Sequence, residues 1–369
     1  MQLFSELIQV SLGKRKTLSK TPNDKEWEGL FKISVKQAVT GFAFEALDTL
    51  AANGQKLPST LFFEWIGISE QIKKQNLLLN KRCKEITQIF SDAGYKTCIL
   101  KGQGNARMYP NALCRTPGDI DVWIYGKYDE DKTPIGSLKK EIISFVRERT
   151  PDAFEQSYHI EFPIFEDVMT EVHYVPNILF NPNQDRKFRK WCQSIDNSTI
   201  LYCEDVGFSV PSIQFNAVYQ MVHIFSHFFT EGIGMRHFID YYYVLTKISP
   251  SYIITVKETL HHLGMQKFAS GVMWIEHQVL GIPENSLILK PSESVGRLIM
   301  GEMEEGGNFG QYDQRYSVRN KGLIVRGLTD TWRLITLARV FPIECFWKIT
   351  EKITNQKYKL KHWIQMRWK

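Results

Sequence analysis

Residues 96–125 read KTCILKGQGNARMYPNALCRTPGDIDVWIY, and the fold turns on how this stretch divides. An apolar run from Thr97 to Leu100 ends in Lys101-Gly102, a short segment with helical spacing follows, and Gly118-Asp119-Ile120-Asp121-Val122-Trp123-Ile124 opens a second apolar-rich run. The pattern predicts strand, glycine turn, short helix, loop, strand. Successive side chains of a strand alternate between faces, so Asp119 and Asp121 point one way while Ile120 and Val122 point into the opposite layer. The two carboxylates then sit about 7 Å apart along the chain. Burying such a pair uncompensated is costly, because like charges raise one pKa and desolvation raises both. A hard divalent cation removes that cost and keeps positions open for substrate phosphates; alternatively, two acids at a strand end simply face water.

The order strand, Lys-Gly, helix, Gly-Asp-Ile-Asp-Val-Trp-Ile resembles the signature of the DNA polymerase β-like nucleotidyltransferase superfamily. Within it the stretch is most similar to a bacterial family of uncharacterised nucleotidyltransferases, through Ile99-Leu100-Lys101-Gly102, Met108-Tyr109-Pro110 and the run Arg115-Thr116-Pro117-Gly118-Asp119-Ile120-Asp121-Val122-Trp123-Ile124. The resemblance implies an α+β fold, with a small mixed sheet as the polymerase β-like core and helical regions on either side. It implies an enzyme that uses Mg²⁺ or Mn²⁺ to move a nucleoside monophosphate from a nucleoside triphosphate (NTP) to a hydroxyl, releasing pyrophosphate. Asp119 and Asp121 would hold metal, and Lys101, Gly102 and Gln103 would bind the nucleotide phosphates. Gln103 stands where the superfamily has a small Gly or Ser, with Gly104 following, and the loop to Gly118 is slightly longer than usual. A fold that binds nucleotide or RNA without chemistry, or a partner protein working through its C-terminal tail, is the alternative. Arg115, four residues before the acid pair, either reaches a phosphate or locks the loop.

A third acid is expected on a neighbouring strand. Gln156–Pro163 and Val168–Val175 alternate in the manner of an antiparallel pair, and Glu171 and His173 share a face of the second. Glu171-Val172-His173 resembles the acid-hydrophobic-His run of the family, which implies that Glu171 is the third metal ligand, able to orient or deprotonate an attacking hydroxyl; alternatively it is a solvated strand residue. His173 is a ligand or a hydrogen-bonding neighbour. Further on, Ile213–Phe229 is strongly apolar behind Ser212, a suitable N-cap. It carries His223 and His227 four apart, without the Glu of a zinc-protease motif, so these are structural or pocket residues. Arg236 and Asp240, again four apart, form either an Arg–Asp pair between helices or part of a pocket for base or acceptor. The acceptor class stays open among small molecules, RNA and protein.

The chain's 369 residues, 43% hydrophobic and 13% aromatic, support a large core and several structural units. Three regions are expected: helical over 1–90, the transferase core over 91–205, and a second helical region over 206–369. Leu61 to Phe90 carries a long helical pattern, with Leu77, Leu78, Arg82, Ile86 and Ile89 against the sheet. Ile135 to Arg149 is amphipathic. The polar run 176–202 reads as a flap or inserted loop. Six cysteines without C-x-x-C spacing suit reduced thiols. With no signal-like start and no apolar run of membrane length, a cytoplasmic protein is expected. The net charge of +6 lies in a tail, 348–369, where seven Lys/Arg face one acid. That tail with Trp347, Trp363 and Trp368 either docks on the body, stacks on RNA or touches an anionic membrane.

Overall fold

The computed structural model describes residues 1–129, 135–194, 198–313, 315 and 331–367, with side chains described through residue 354, Ile135 excepted. Four helices, α1 (Gln2–Ser11), α2 (Asp24–Lys36), α3 (Thr40–Phe44) and α4 (Leu47–Ala52), precede the long α5 (Ser59–Asp92). The middle holds β1 (Tyr95–Leu100), α6 (Lys101–Ala106), β2 (Ile120–Lys127), α7 (Ile135–Arg149), β3 (His159–Glu161), β4 (Thr170–His173), α8 (Pro182–Gln193), β5 (Ile200–Cys203) and β6 (Phe208–Pro211). The rest is helical: α9 (Ile213–Thr230), α10 (Met235–Lys247), α11 (Pro250–His262), α12 (Gln266–Gln278), α13 (Glu293–Gly306), a short α14 over 331–337, and α15 (Pro342–Arg367). The fold is thus α+β with helices on both sides of a small mixed sheet. Among the described residues, no helix is long and apolar enough to cross a membrane, and all six cysteines are free.

The sheet runs β1-β2-β4-β3, with a separate β5-β6 hairpin. β1 and β2 are antiparallel, β2 and β4 parallel, and β4 and β3 antiparallel. Strand alternation divides its residues between two cores. Ile99, Ile120, Val122, Ile124 and Val172 pack with α7 and the second half of α5, whereas Cys98, Leu100 and Trp123 face a larger core that the helices before and after the sheet build together. Asp121 has the parity of Trp123 and therefore emerges on the larger-core side.

Helix α5 joins the two cores. Its buried residues Leu61, Trp65, Ile72, Asn76, Leu79, Cys83, Ile86 and Phe90 recur at three, four and seven, one stripe of a 3.6-residue helix. Leu61 and Trp65 belong to the larger core, and Leu79 to Phe90 to the smaller. The stripe is rotated from the expected one: Leu77 is exposed, and Leu79, Cys83 and Phe90 take the sheet-facing places. Polar Asn76 and small Cys83 on the buried side masked that face in the sequence. Region 176–202 is also corrected, since it contains α8, capped by Asn181 with Pro182 in its first turn. Only Phe188 and Cys192 of that helix are buried, too few apolar residues to reveal the period.

Lys348, the first lysine of the basic tail, is not solvated. It is 5% exposed, 2.7 Å from Glu351 and 4.2 Å from the centre of the Phe180 ring, so the start of α15 docks on the body through an amphipathic lysine stem. Trp347 also packs against the larger core. The side chains of Lys357, Lys359, Lys361, Trp363 and Arg367, with Trp368 and Lys369, lie outside the described residues.

One buried acid in α12 makes stability depend on pH. Both carboxylate oxygens of Glu276 are buried without a hydrogen-bond partner, and burial pushes its pKa well above the ordinary value. The folded chain therefore keeps a proton that the unfolded chain loses, so this residue withdraws stability as pH rises above about 4.3, by roughly 1.4 kcal/mol per unit until the folded-state value is passed. Glu276→Gln is expected to remove that slope in urea unfolding as the pH is raised above about 5. Parallel wild-type and variant profiles would contradict it.

Candidate active site

The site begins where β1 ends. Lys101 has φ 44° and Gly102 φ 24°, so the chain turns through the left-handed region at two consecutive residues, one of them a lysine for which this is strained. A Cβ on Gly102 would lie 3.4 Å from the carbonyl oxygen of Asp119, which places the turn directly against the acid loop. Gly104 fills a different need: a Cβ there would meet the Ile99 carbonyl oxygen at 2.5 Å, so only glycine lets α6 start over the end of its own strand. The Gln103 side chain turns away from the acids, its Nε2 donating to Asn80 Oδ1 at 2.6 Å and to the Asn76 carbonyl at 3.3 Å. Its amide is tied to α5, and Gln103 can offer the site only its backbone.

Asp119 lies exposed just before β2, Asp121 is buried on it, and Glu171 stands directly across from Asp121 in the parallel register of β2 and β4. One oxygen from each falls within 4.8 Å of the other two. Lys101 Nζ is 2.8 Å from Asp121 Oδ1, and His173 Nε2 reaches the same oxygen at 2.8 Å and Glu171 Oε2 at 3.4 Å. Burial opposes ionisation of Asp121, but Lys101 and His173 outweigh it and hold the carboxyl well below its usual range. Asp119 receives less of it. The Asp121 charge pushes its pKa up, and Lys101 offsets that only in part. Burial also opposes ionisation of Glu171, yet hydrogen bonding from His173 lowers its pKa. In His173 the bonds to Asp121 and Glu171 overcome burial and raise the pKa. Three carboxylates thus converge around one lysine, and the raised pKa of Asp119 registers the excess negative charge. A hard divalent ion suits this oxygen donor set.

The loop between α6 and β2 is held from behind. Arg115 is buried with its guanidinium forked onto Asp240, Nε to Oδ1 and Nη2 to Oδ2, both at 2.8 Å. Tyr109 Oη and Asn105 Nδ2 donate to the same carboxylate at 2.7 and 2.9 Å, and Gln220 Nε2 donates to Asn105 Oδ1 at 2.8 Å. This fork onto Asp240 is the geometry expected of a loop lock, the second of the two roles set out for Arg115. Asp240 pairs with Arg115 rather than Arg236, because its face of α10 meets the acid loop. Arg236 instead donates to the carbonyls of Thr116 and Pro117 at 3.1 and 3.4 Å, while burial and neighbouring Arg115 pull its pKa down to about 10.

Beside Lys101 stands a histidine wall. The rings of His223 and His227 are 4.3 Å apart, His237 lies 5.6 and 5.7 Å from them, and Phe309 packs 5.1 Å from His227. Burial keeps His223 and His237 well below the usual imidazole pKa. His227 Nδ1 sits 3.3 Å from Glu231, and the Lys101 charge reaches both His223 and Glu231.

Several of these residues escaped the sequence reading. His159 faces His173 across the antiparallel pair, and burial, with His173 nearby, lowers its pKa to about 4; strand alternation from His173 was the available signal. Asn105 and Gln220 gave none, since a polar residue in a helix does not announce a buried partner more than a hundred positions away.

A model for a family described as uncharacterised nucleotidyltransferase matches residues 23–281, taking in the sheet together with the helices from α2 to α12. No curated protein and no solved structure gives a significant match. With most of its length matched, and with the acid pair set behind a strained Lys-Gly turn, the chain belongs to this uncharacterised nucleotidyltransferase family.

Proposed function

We propose that the protein transfers a nucleoside monophosphate from an NTP to a hydroxyl acceptor in a reaction that depends on Mg²⁺ or Mn²⁺. The convergence of Asp119, Asp121 and Glu171 within 4.8 Å around a single lysine carries the reading. The three carboxylates would hold the metal, which when bound supplies charge neutralisation at the triphosphate. The backbone of Lys101, Gly102 and Gln103 presents N–H groups at a turn and helix start, a suitable cradle for phosphate oxygens. Lys101 adds positive charge beside it. An acceptor oxygen forms a bond to the α-phosphorus, the bond to the β-phosphate bridging oxygen breaks, and pyrophosphate leaves with the electron pair. Glu171, held ionised, takes the acceptor proton. His223, His227, Glu231 and Arg236 offer a wall for base or acceptor.

The test is label transfer from α-labelled ATP, GTP, CTP and UTP, with Mg²⁺ or Mn²⁺, into cell extract separated into protein, RNA and small-molecule fractions. Label that enters one fraction only with the wild-type chain supports transfer and gives the acceptor class. Failure to bind both Mn²⁺ and nucleotide would sink the reading.

A further inference from the structure

We propose that His159, Glu171 and His173 form a second cation site, one that takes an imidazole-preferring divalent transition metal of the Zn²⁺ class. Each of the three offers a ligand atom within 4.8 Å of the other two. The closer separations are the informative ones. Glu171 Oε2 is 3.4 Å from His173 Nε2 and 3.6 Å from His159 Nδ1. Metal–ligand bonds of about 2.1 Å in a tetrahedral arrangement separate neighbouring ligands by about 3.4 Å. Both separations from Glu171 therefore fit ligands around a shared ion.

An independent observation comes from unpartnered atoms. His159 is 2% exposed, and neither of its ring nitrogens has a hydrogen-bond partner; Nδ1 of His173, itself 1% exposed, has none either. Buried polar atoms are ordinarily satisfied, and the unpartnered His159 Nδ1, 3.6 Å from Glu171 Oε2, asks for a ligand. The rings are also held in place. His159 and His173 are register partners on β3 and β4, with ring centres 5.1 Å apart, and Tyr158 packs edge-on against His159 at 4.6 Å and tilted on His173 at 5.4 Å. A site on paired strands under an aromatic wall is rigid and partly shielded from water.

Donor chemistry separates this set from the acid cluster. Two imidazoles and one carboxylate suit zinc and neighbouring metals, whereas Mg²⁺ prefers oxygen alone. Three protein ligands leave one position open. Asp121 keeps Lys101 as its partner at 2.8 Å even when His173 Nε2 turns to a cation. Glu171 belongs to both sets, so a cation on the imidazoles changes the charge that the acid cluster presents, but the site does not depend on the transfer reaction proposed above.

The experiment uses the full chain after removal of metal by a chelator. Zn²⁺ is titrated in competition with a chromophoric chelator, and Co²⁺ is followed by its visible absorption, for wild type, His159→Ala, His159→Phe and Asp119→Asn. Wild type is expected to bind one Zn²⁺ tightly and give the intense visible bands of low-symmetry Co²⁺ with nitrogen ligands. His159→Ala is expected to lose at least about 100-fold in Zn²⁺ affinity, and Asp119→Asn less than about threefold, with folding checked by circular dichroism. His159→Phe retains ring volume and replaces the alanine variant if that one is unfolded. Equal Zn²⁺ affinity in wild type and in the folded His159 variant overturns the proposal, as does an equal loss in Asp119→Asn, which would put the ion among the carboxylates. Neither result bears on label transfer.

Discussion

Asp119→Asn is expected to lower nucleotidyl transfer roughly 10³-fold or more while changing the unfolding free energy by about 0.5 kcal/mol or less. The two effects separate because of where the side chain sits. Asp119 is exposed, and its carboxyl is crowded by Asp121 without a cation of its own, so removing its charge relieves repulsion in the empty fold and weakens only the binding of a metal. Asp121→Asn is expected to lose as much rate but also stability, because Lys101 and buried His173 both lean on that buried carboxylate, and a buried pair that loses one member costs about 3–5 kcal/mol. Both variants are measured by label transfer and by urea unfolding. Transfer at the wild-type rate in both would end the assignment of the acid pair. A stability loss in Asp119→Asn equal to that in Asp121→Asn would contradict the contrast drawn between their surroundings.

Asp240→Ala is expected to destabilise the fold by about 3–5 kcal/mol. The substitution strands the buried Arg115 guanidinium and removes the acceptor of Tyr109 and Asn105 in one step. Burial opposes ionisation of Asp240, but Arg115 prevails and holds its pKa below the ordinary value. The contribution is therefore complete above the unfolded-state pKa of about 3.9 and fades as pH falls through the lower folded value, so the gap between wild type and variant should close in acid. Since Arg115 anchors the loop that delivers Asp119, transfer is also expected to fall. Chemical denaturation across pH measures the gap, and a difference under about 1 kcal/mol at neutral pH would show that the network does not hold the loop.

Much of the sheet was legible. Apolar alternation around Lys101-Gly102 and Asp119-Ile120-Asp121 marked β1 and β2, and the pair ending in Glu171-Val172-His173 marked β3 and β4, because strand periodicity is a local property of the chain. Helix α7 came out with its expected bounds, and Ser212 caps α9 by accepting from the Phe215 amide. Helix α8 was missed because a surface helix with two buried residues has almost no period to read.

The acid pair and its position behind a glycine turn were determined by the sequence alone, since each follows from residue type and a spacing of a few positions, while the third acid on an adjacent strand was expected from the family resemblance. Only the tertiary structure decided how these acids differ: Asp121 is paired and buried, Asp119 uncompensated, and Glu171 shared with two imidazoles. It also decided that Arg115 grips Asp240, that Gln103 turns toward α5, and that Lys348 joins the body. Those outcomes depend on which side chains meet across long chain separations, where burial removes water and a single partner fixes charge and direction.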